Sequence, residues 1–426
     1  MASSLSHARA AMRIYLVLAS AYLASQFYRV ANAAIAPELM AELGLSAEAM
    51  GAITGVFFLA FAAAQVPTGV VLDRFGPRRT MAGLFLVAVL GALTFALARD
   101  ALMLGLARVL MGLGCAAGLM GSMVAISRWF EPARFAQLSS LVFVVGGAGT
   151  LLATTPLAWA VELIGWRGAF LVMAGLTFGF AVLLFAVVRD APPGQASGGA
   201  SESWRQIGRG LGQVVRNPEI WKVSAIQFVT YASIITVIGL WAGPYLSDIH
   251  GLEVVARGNV LLVLNLAVLA GVLAYGWIDR RVPSRKWLLV AGAAASAGLM
   301  TALALLPDAG FWPALALLVA FTLVGSYVML NHAHARSILP DHLVGRGLTF
   351  QNLAAFLGIF ALQSVSGLIV GSFAPAGGAA PEAAYRAVFG FLAACLLVAA
   401  LVFATAREPS PQAASRAPAA PPPSAG

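Results

Sequence analysis

Arg29 lies inside an apolar run that spans residues 12–35. If the run crosses a bilayer, a charge there costs about 2.5–3.5 kcal/mol on insertion scales, so such a residue is a functional candidate by default. Tyr15, Tyr22, Gln26 and Arg29 follow at intervals of seven, four and three residues. At about 100° per residue they share one helix face, a polar stripe that implies a wet cavity. No Asp or Glu falls in the middle of any apolar run; Glu162, near a run's end, is the nearest to an exception. Arg29 and Arg108 therefore lack an obvious carboxylate. A guanidinium in that position suits an external anion, held by a planar, bidentate fork. For Arg108 the simpler reading is capture by carbonyls or by an amide such as Asn32.

Further polar residues in the runs are Gln227 and Tyr231, one turn apart, with Asn265, Tyr327 and Asn331. Each can line a cavity, and each can equally be a packing hydrogen bond. Trp241, close to Pro244, is placed to close an outer gate. His332 and His334 are two residues apart and so point to opposite sides of a helix, whereas a metal pair wants i,i+4 spacing. His332 is the best titratable group near neutrality. No His/Asp/Cys cluster or nucleotide loop supports an enzyme, and no cofactor or metal is expected.

The surrounding elements must be membrane helices. Of the 426 residues 60% are hydrophobic and only 10% charged, and mean hydropathy is +0.88. Soluble domains carry about 25% charged residues. Twelve apolar runs are long enough to span: 12–35, 48–72, 80–98, 101–127, 137–162, 167–188, 219–246, 256–278, 286–306, 311–335, 347–372 and 384–406. They are too long for membrane strands. Of the 26 basic residues, 20 fall in the breaks on one side, and only Arg99, Arg167, Arg257 and Arg386 on the other. The positive-inside rule places the 20-residue side, with both termini, in the cytoplasm of a bacterial inner membrane. The net charge of +9 is thus a topology signal and not a nucleic-acid footprint. Ala31-Asn32-Ala33 after the first run mimics a signal-peptidase site, but Arg29 interrupts that region and the following residues belong to a repeat. Cys115 and Cys395 lie in apolar runs, so no disulfide framework is expected.

The expected layout is a cytoplasmic N-terminus (1–11), a six-helix half (12–189), a linker (190–218), a second half (219–406) and a disordered tail (407–426). Within the linker, Trp204, Ile207 and Leu211 alternate with arginines as on a surface amphipathic helix. The halves repeat. At an offset of 207, Pro37 meets Pro244, Gly44 meets Gly251, Leu45 meets Leu252 and Gly69 meets Gly276; Trp166-Arg167 resembles Tyr385-Arg386. The fold class is all-α, with two pseudo-symmetric bundles in parallel orientation.

GVVLDRFGPRR, Gly69 to Arg79, matches a G-x-x-x-D-R-x-G-x-R-R loop at every fixed position. Its second-half copy, GWIDRRVPSRK, lacks the second glycine. With Arg108-x-x-x-Gly112-x-Gly114, the loop resembles the major facilitator superfamily over nearly the whole chain. The resemblance implies gating roles for Gly69, Asp73, Arg74, Gly76, Arg78 and Arg79. Gly69 is expected to permit close helix approach. Asp73 is expected to meet the start of the eleventh helix near Gly347, with Arg128 a second partner. Asp279, the start of the fifth helix and Arg336 form the pseudo-symmetric set.

Arg29, eight residues before Pro37 in RVANAAIAP, resembles the first-span arginine of the organophosphate antiporters and anion:cation symporters, which contacts an anionic substrate. Span 7 has no basic residue in its core, which argues against a phosphate ester. Span 5, GGAGTLLATTPLAW, departs from the antiporter motif, which favours proton- or sodium-coupled uptake. The implied protein is a monomeric carrier of a small organic anion or zwitterion working by alternating access. An exporter or exchanger of an amphipathic, vitamin- or drug-like compound is the alternative, and a non-transporting sensor a third reading. The topology has a direct check: fused after Arg407, green fluorescent protein should fluoresce and alkaline phosphatase stay inactive. The reverse pattern overturns the assigned orientation.

Overall fold

The computed structural model describes residues 2–191, 212–282, 284–308, 310–338, 344–373 and 379–408. The linker segment around Trp204, Ile207 and Leu211, and the tail beyond 408, lie outside the described residues. Helix α1 is Ala2–Leu43. Helices α2 (47–75) and α3 (77–96) are the two parts of Ala47–Ala96, divided at Gly76. Helix α4 is Ala101–Trp129. Helix α5 begins as Pro132–Leu152 and resumes at Thr155; a second break at Gly165 starts α6 (166–187). Helix α7 is Pro218–Asp248 and contains a π turn, Val237–Trp241. Then follow α8 (Val254–Ile278), α9 (Arg285–Leu305), α10 (311–338), α11 (Val344–Gly371) and α12 (Glu382–Ala404). Among the described residues there is no strand, as bilayer crossing by satisfied helices requires.

Most helix ends fall within a few residues of the apolar runs. The exception is α1, which continues through Pro37 to Leu43. This extension carries Glu38 and Glu42, one turn apart, on the rim opposite the termini. Glu42 accepts from Trp166 Nε1 at 2.5 Å and pairs with Arg167, which ties the end of α1 to the start of α6.

The repeat seen in the sequence is realised atom by atom at the helix ends. Gly44 and Gly251 end α1 and α7 with φ of +61° and +62°, the left-handed cap that favours glycine. On the rim, Trp166 bonds Glu42, and Tyr385 likewise donates to Asp248 Oδ2 at 2.6 Å. Arg167 Nη2 donates to Ala98 O at 2.9 Å, and Arg386 Nε to Ala304 O at 2.7 Å. Each half thus pins the start of its sixth helix to the ends of its first and third. The halves meet along α2 with α11, α1 with α7, and the resumed part of α5 with α8.

Gly76 has φ +75°, and the Asp190 carboxylate occupies the space that a β-carbon would need. Gly165 has φ +69° with nothing within 4 Å of that position. Backbone strain of this kind costs about 1–3 kcal/mol in a non-glycine residue. Gly165→Ala should lower the thermal midpoint in detergent by strain alone. Gly76→Ala should lower it further, because Asp190 must also move. Equal losses would remove the steric role of Asp190.

Candidate functional site

Arg29 sits halfway along the span of α1 and is 8% exposed. Its guanidinium carbon lies 4.5 Å from the Phe61 ring centroid on α2 and 5.5 Å from that of Phe356 on α11. It is therefore placed where the two halves meet. Among the described residues the guanidinium makes no hydrogen bond and no ion pair, and Nε is buried without a partner. Cation–π contact contributes up to about 2 kcal/mol in a desolvated setting, which does not neutralise the charge. Phe61 and Phe356 touch across the halves at 4.6 Å, and Phe58 stacks on Phe356 at 6.4 Å. Just beyond Arg29, the π turn of α7 lies against α1, with Gly239 facing the Arg29 carbonyl. π turns inside helices recur at functional sites.

The other residues of the α1 stripe lie toward the termini from Arg29. Tyr22 lies within electrostatic range of both Arg29 and, across the halves, Tyr231. The Tyr22 ring meets Phe143 edge-on at 6.0 Å and packs with Gln26 on Gly146 of α5. Gln26 Oε1 is buried without a partner. Tyr15, nearer the termini, donates to Leu138 O at 3.1 Å.

Other predicted residues pack inside their own half. Asn32 Nδ2 donates to Thr54 Oγ1 at 3.0 Å. Arg108 is fully buried, donates from Nη1 to Tyr28 O at 2.7 Å and rests 4.5 Å from the Phe57 ring centroid. Capture by a carbonyl was the simpler reading of the sequence. Asn331 Nδ2 donates to Gln227 Oε1 at 2.9 Å and to Val223 O at 3.0 Å. Asn265 Nδ2 bonds its own helix at Leu261 O, 2.8 Å. Tyr327 shares a 2.9 Å hydrogen bond with Thr230 and lies against Gly292 of α9. His332 Nε2 lies 3.3 Å from Asn352 Oδ1. His334 is buried, 5.2 Å from the Phe403 ring. Trp241 Nε1 donates to Ser366 Oγ at 2.7 Å, which ties α7 to α11 within the second half.

The rim opposite the termini is closed by a pair the sequence reading left among the loop charges. Arg257 of α8 is 3% exposed and reaches across the halves to Glu38 of α1. Its Nη2 also donates to Ala34 O at 3.4 Å, and Nη1 to Leu252 O at 3.2 Å. Beside it, Thr155 Oγ1 donates to Asn259 Oδ1 at 2.8 Å. A β-carbon on Gly243 would collide with the Ala33 carbonyl, so α7 approaches α1 at the closest range that glycine allows. Between described residues, every hydrogen bond joining the halves lies on this rim. No spacing rule points to Glu38–Arg257, because its partners are more than two hundred positions apart.

On the termini side the expected partners differ. Asp73 is exposed and has no ion pair among the described residues. Arg128 Nη1 instead donates to Asp190 O at 3.3 Å. Asp279 takes Arg285 at 2.6 and 2.8 Å in place of the fifth helix, and Arg336 is exposed. Of these groups, Asp279 and Arg128 bond within their own halves. Gly69 meets only Met120 Sδ, at an ordinary 3.7 Å, so no close approach depends on it. Gly76 and Arg78 are anchored: Arg78 N donates to Asp190 Oδ1 at 2.8 Å and Nε to Phe185 O at 2.6 Å. Arg74 lies over Phe75 at 5.3 Å, and Arg79 is exposed.

A family profile described as Major Facilitator Superfamily matches residues 16–363. A probable sulfoacetate transporter of Cupriavidus necator is 24% identical over 279 residues, 60% of this chain and 61% of that one. A protein of Agrobacterium vitis, designated a tartrate transporter, is 24% identical over 402 residues, 87% of this chain and 84% of its own. Among solved structures, a bacterial homolog of the human lysosomal transporter Spinster, inward-facing and occupied, is similar with a TM-score of 0.74 at 17% identity. That match covers 92% of this chain and 95% of that one. This last likeness is one of fold.

Losing one partner of a fully enclosed pair costs about 3–5 kcal/mol. The Glu38 side chain is 28% exposed, so a loss nearer 1–2 kcal/mol, about a tenfold shift in equilibrium, is expected. In an Ala33→Cys background, Glu38→Gln should raise labelling from the far side. Asp73→Asn, at the opposite end, should not raise it, and should instead raise labelling from the termini side. Far-side labelling unchanged by Glu38→Gln would sink the latch.

Proposed function

We propose that this chain, which belongs to the major facilitator superfamily, is a secondary transporter that carries a small organic anion by alternating access. The observation that carries the reading is Arg29: a central, nearly buried guanidinium with no carboxylate, hydroxyl or carbonyl bonded to it among the described residues. A buried unpaired charge is strongly unfavourable. A substrate carboxylate or sulfonate relieves that cost, and binding energy then resides where both halves contribute walls. The matched relatives, designated for sulfoacetate and tartrate, support an anion as cargo.

At the offset of the repeat, Thr236 stands in α7 where Arg29 stands in α1. The second half thus adds no matching cation at this position, which supports a carboxylate-type cargo over a phosphate ester. In the reading we favour, the rim bearing Glu38 and Arg257 faces outward and both termini face the cytoplasm, as the basic loops indicate. The site then belongs to a state closed on the outside. Coupling of uptake to a proton or sodium ion is part of the proposal, supported by the departure of α5 from the antiporter pattern. The protein works as a monomer in the bilayer.

Uptake against concentration, normalised to membrane-inserted protein, tests the anion site. A charge-assisted hydrogen bond contributes about 1.5–3 kcal/mol, so Arg29→Ala should weaken affinity about tenfold or more. Arg29→Lys keeps the charge but loses the planar fork, and should recover binding only in part. An Arg29→Ala protein with unchanged affinity and rate overturns the site. A neutral or cationic native substrate does the same, and export of an amphipathic compound then becomes the leading reading.

A further inference from the structure

Resting on the anion reading, we infer that the site selects a monoanion with an apolar, planar body, such as an aromatic carboxylate, over dicarboxylates and polyhydroxylated acids. Four observations carry this. The first is charge count. Arg29 is the central arginine among the described residues that lies between the halves, against Phe61 of one and Phe356 of the other. Arg108, the other arginine inside a span of the first half, donates to Tyr28 O and keeps Nε and Nη2 without partners, but it is fully buried beside Phe57 in its own half and out of a ligand's reach. A ligand with two negative charges would bring one of them into the enclosure uncompensated.

The second observation is the wall. Phe57 and Phe61 stack along α2 with centroids 6.3 Å apart and planes at 18°. Phe61 meets Phe356 at 4.6 Å, and Phe356 stacks with Phe58 at 13°. Arg29 rests on the face formed by Phe61 and Phe356. A carboxylate bound to that guanidinium would bring its own carbon body against these rings. Flat apolar bodies gain from such contact, by offset stacking or edge-on, while hydroxyl groups would lose their water without replacement.

The third is that polar residues expected to line the cavity from the second half are bonded within that half. Gln227 and Asn331 bond each other, Tyr327 is bound to Thr230, and Asn265 is bound to its own helix. These side chains are therefore engaged and not free for the hydroxyls of a sugar acid, although Gln351, Thr236 Oγ1 and Gln363 Oε1 of the same half are buried without partners. The fourth is the position of Phe356. It is contributed by the second half, yet touches both Phe61 and the Arg29 guanidinium of the first. A planar ligand would fit between the halves in the contact that Phe356 now makes, which assigns specificity to this residue.

Tryptophan fluorescence or calorimetry on the purified full chain in nanodiscs tests the assignment, with benzoate, succinate, gluconate, acetate and benzamide as probes. Benzoate should bind at least about threefold to tenfold more tightly than succinate or gluconate, the scale of an aromatic contact. Benzamide, which has the ring but no charge, should not bind detectably. Phe356→Leu should weaken benzoate by a similar factor and acetate by clearly less. Phe356→Ala, if folded by thermal melt, should do so more strongly. Succinate or gluconate binding more tightly than benzoate overturns the inference and leaves the anion site standing. So does an equal loss for benzoate and acetate in Phe356→Leu. If none of the anions binds, or if Arg29→Ala binds them as wild type does, the underlying anion reading fails instead.

Discussion

A guanidinium without a counter-charge in the middle of a membrane helix constrains everything around it. Lipid offers no hydrogen bonds, so Arg29 has to face a space that water or a ligand can enter. The aromatic face under Arg29 gives the charge a partial partner and leaves its N–H donors free. An Asp or Glu one turn away would satisfy the arginine permanently and remove the demand for a ligand. The lack of acids in the spans is therefore as informative as the presence of the base.

The frame that holds this charge is symmetric, and the working parts are the departures from symmetry. Trp166 with Glu42 mirrors Tyr385 with Asp248, and Arg167 with Ala98 mirrors Arg386 with Ala304. These four contacts fix each bundle internally. Against that frame, Arg29 is answered at the equivalent place by Thr236. Glu38 is answered by Tyr245 and Arg257 by Met50, so the latch exists once. A duplicated scaffold with one charge site and one latch has a defined axis of motion and a defined place where the halves let go.

Much of this was legible in the sequence, for reasons that are themselves physical. Span positions follow from the length that a bilayer imposes, and Gly44 with Gly251 from the cap conformation that glycine serves. Arg29 announces itself because a charge in lipid is costly. What was not legible depends on which state the halves adopt. Asp73, expected to meet the eleventh helix with Arg128 as a second partner, has no ion pair among the described residues, Arg128 bonds the Asp190 carbonyl, and Asp279 takes Arg285 in place of the fifth helix. The Glu38–Arg257 pair was hidden twice. Both residues read as loop charges, and Glu38 lies beyond Pro37, where a helix would be expected to end. The aromatic wall was hidden for another reason: phenylalanines in membrane spans are ordinary until their ring-to-ring geometry is known.

The distribution of contacts between the halves also bears on energy. Polar links between described residues lie on one rim: an ion pair, a hydroxyl-to-amide bond and a bond to a carbonyl. The rest of the interface is close backbone packing and aromatic contact. A ligand shifts a two-state equilibrium only by its difference in affinity for the two states. Moving such an equilibrium fully from one side to the other takes about 5.5 kcal/mol, comparable with one charge-assisted bond and the burial of a small apolar body. An interface latched at one pair, with the Arg29 cation a few turns deeper on the same helix, lies within that range. Arg29 and Glu38 both ride on α1, nine residues apart. A displacement of α1 caused by closure around a ligand at Arg29 is therefore felt directly at the pair that holds the rim.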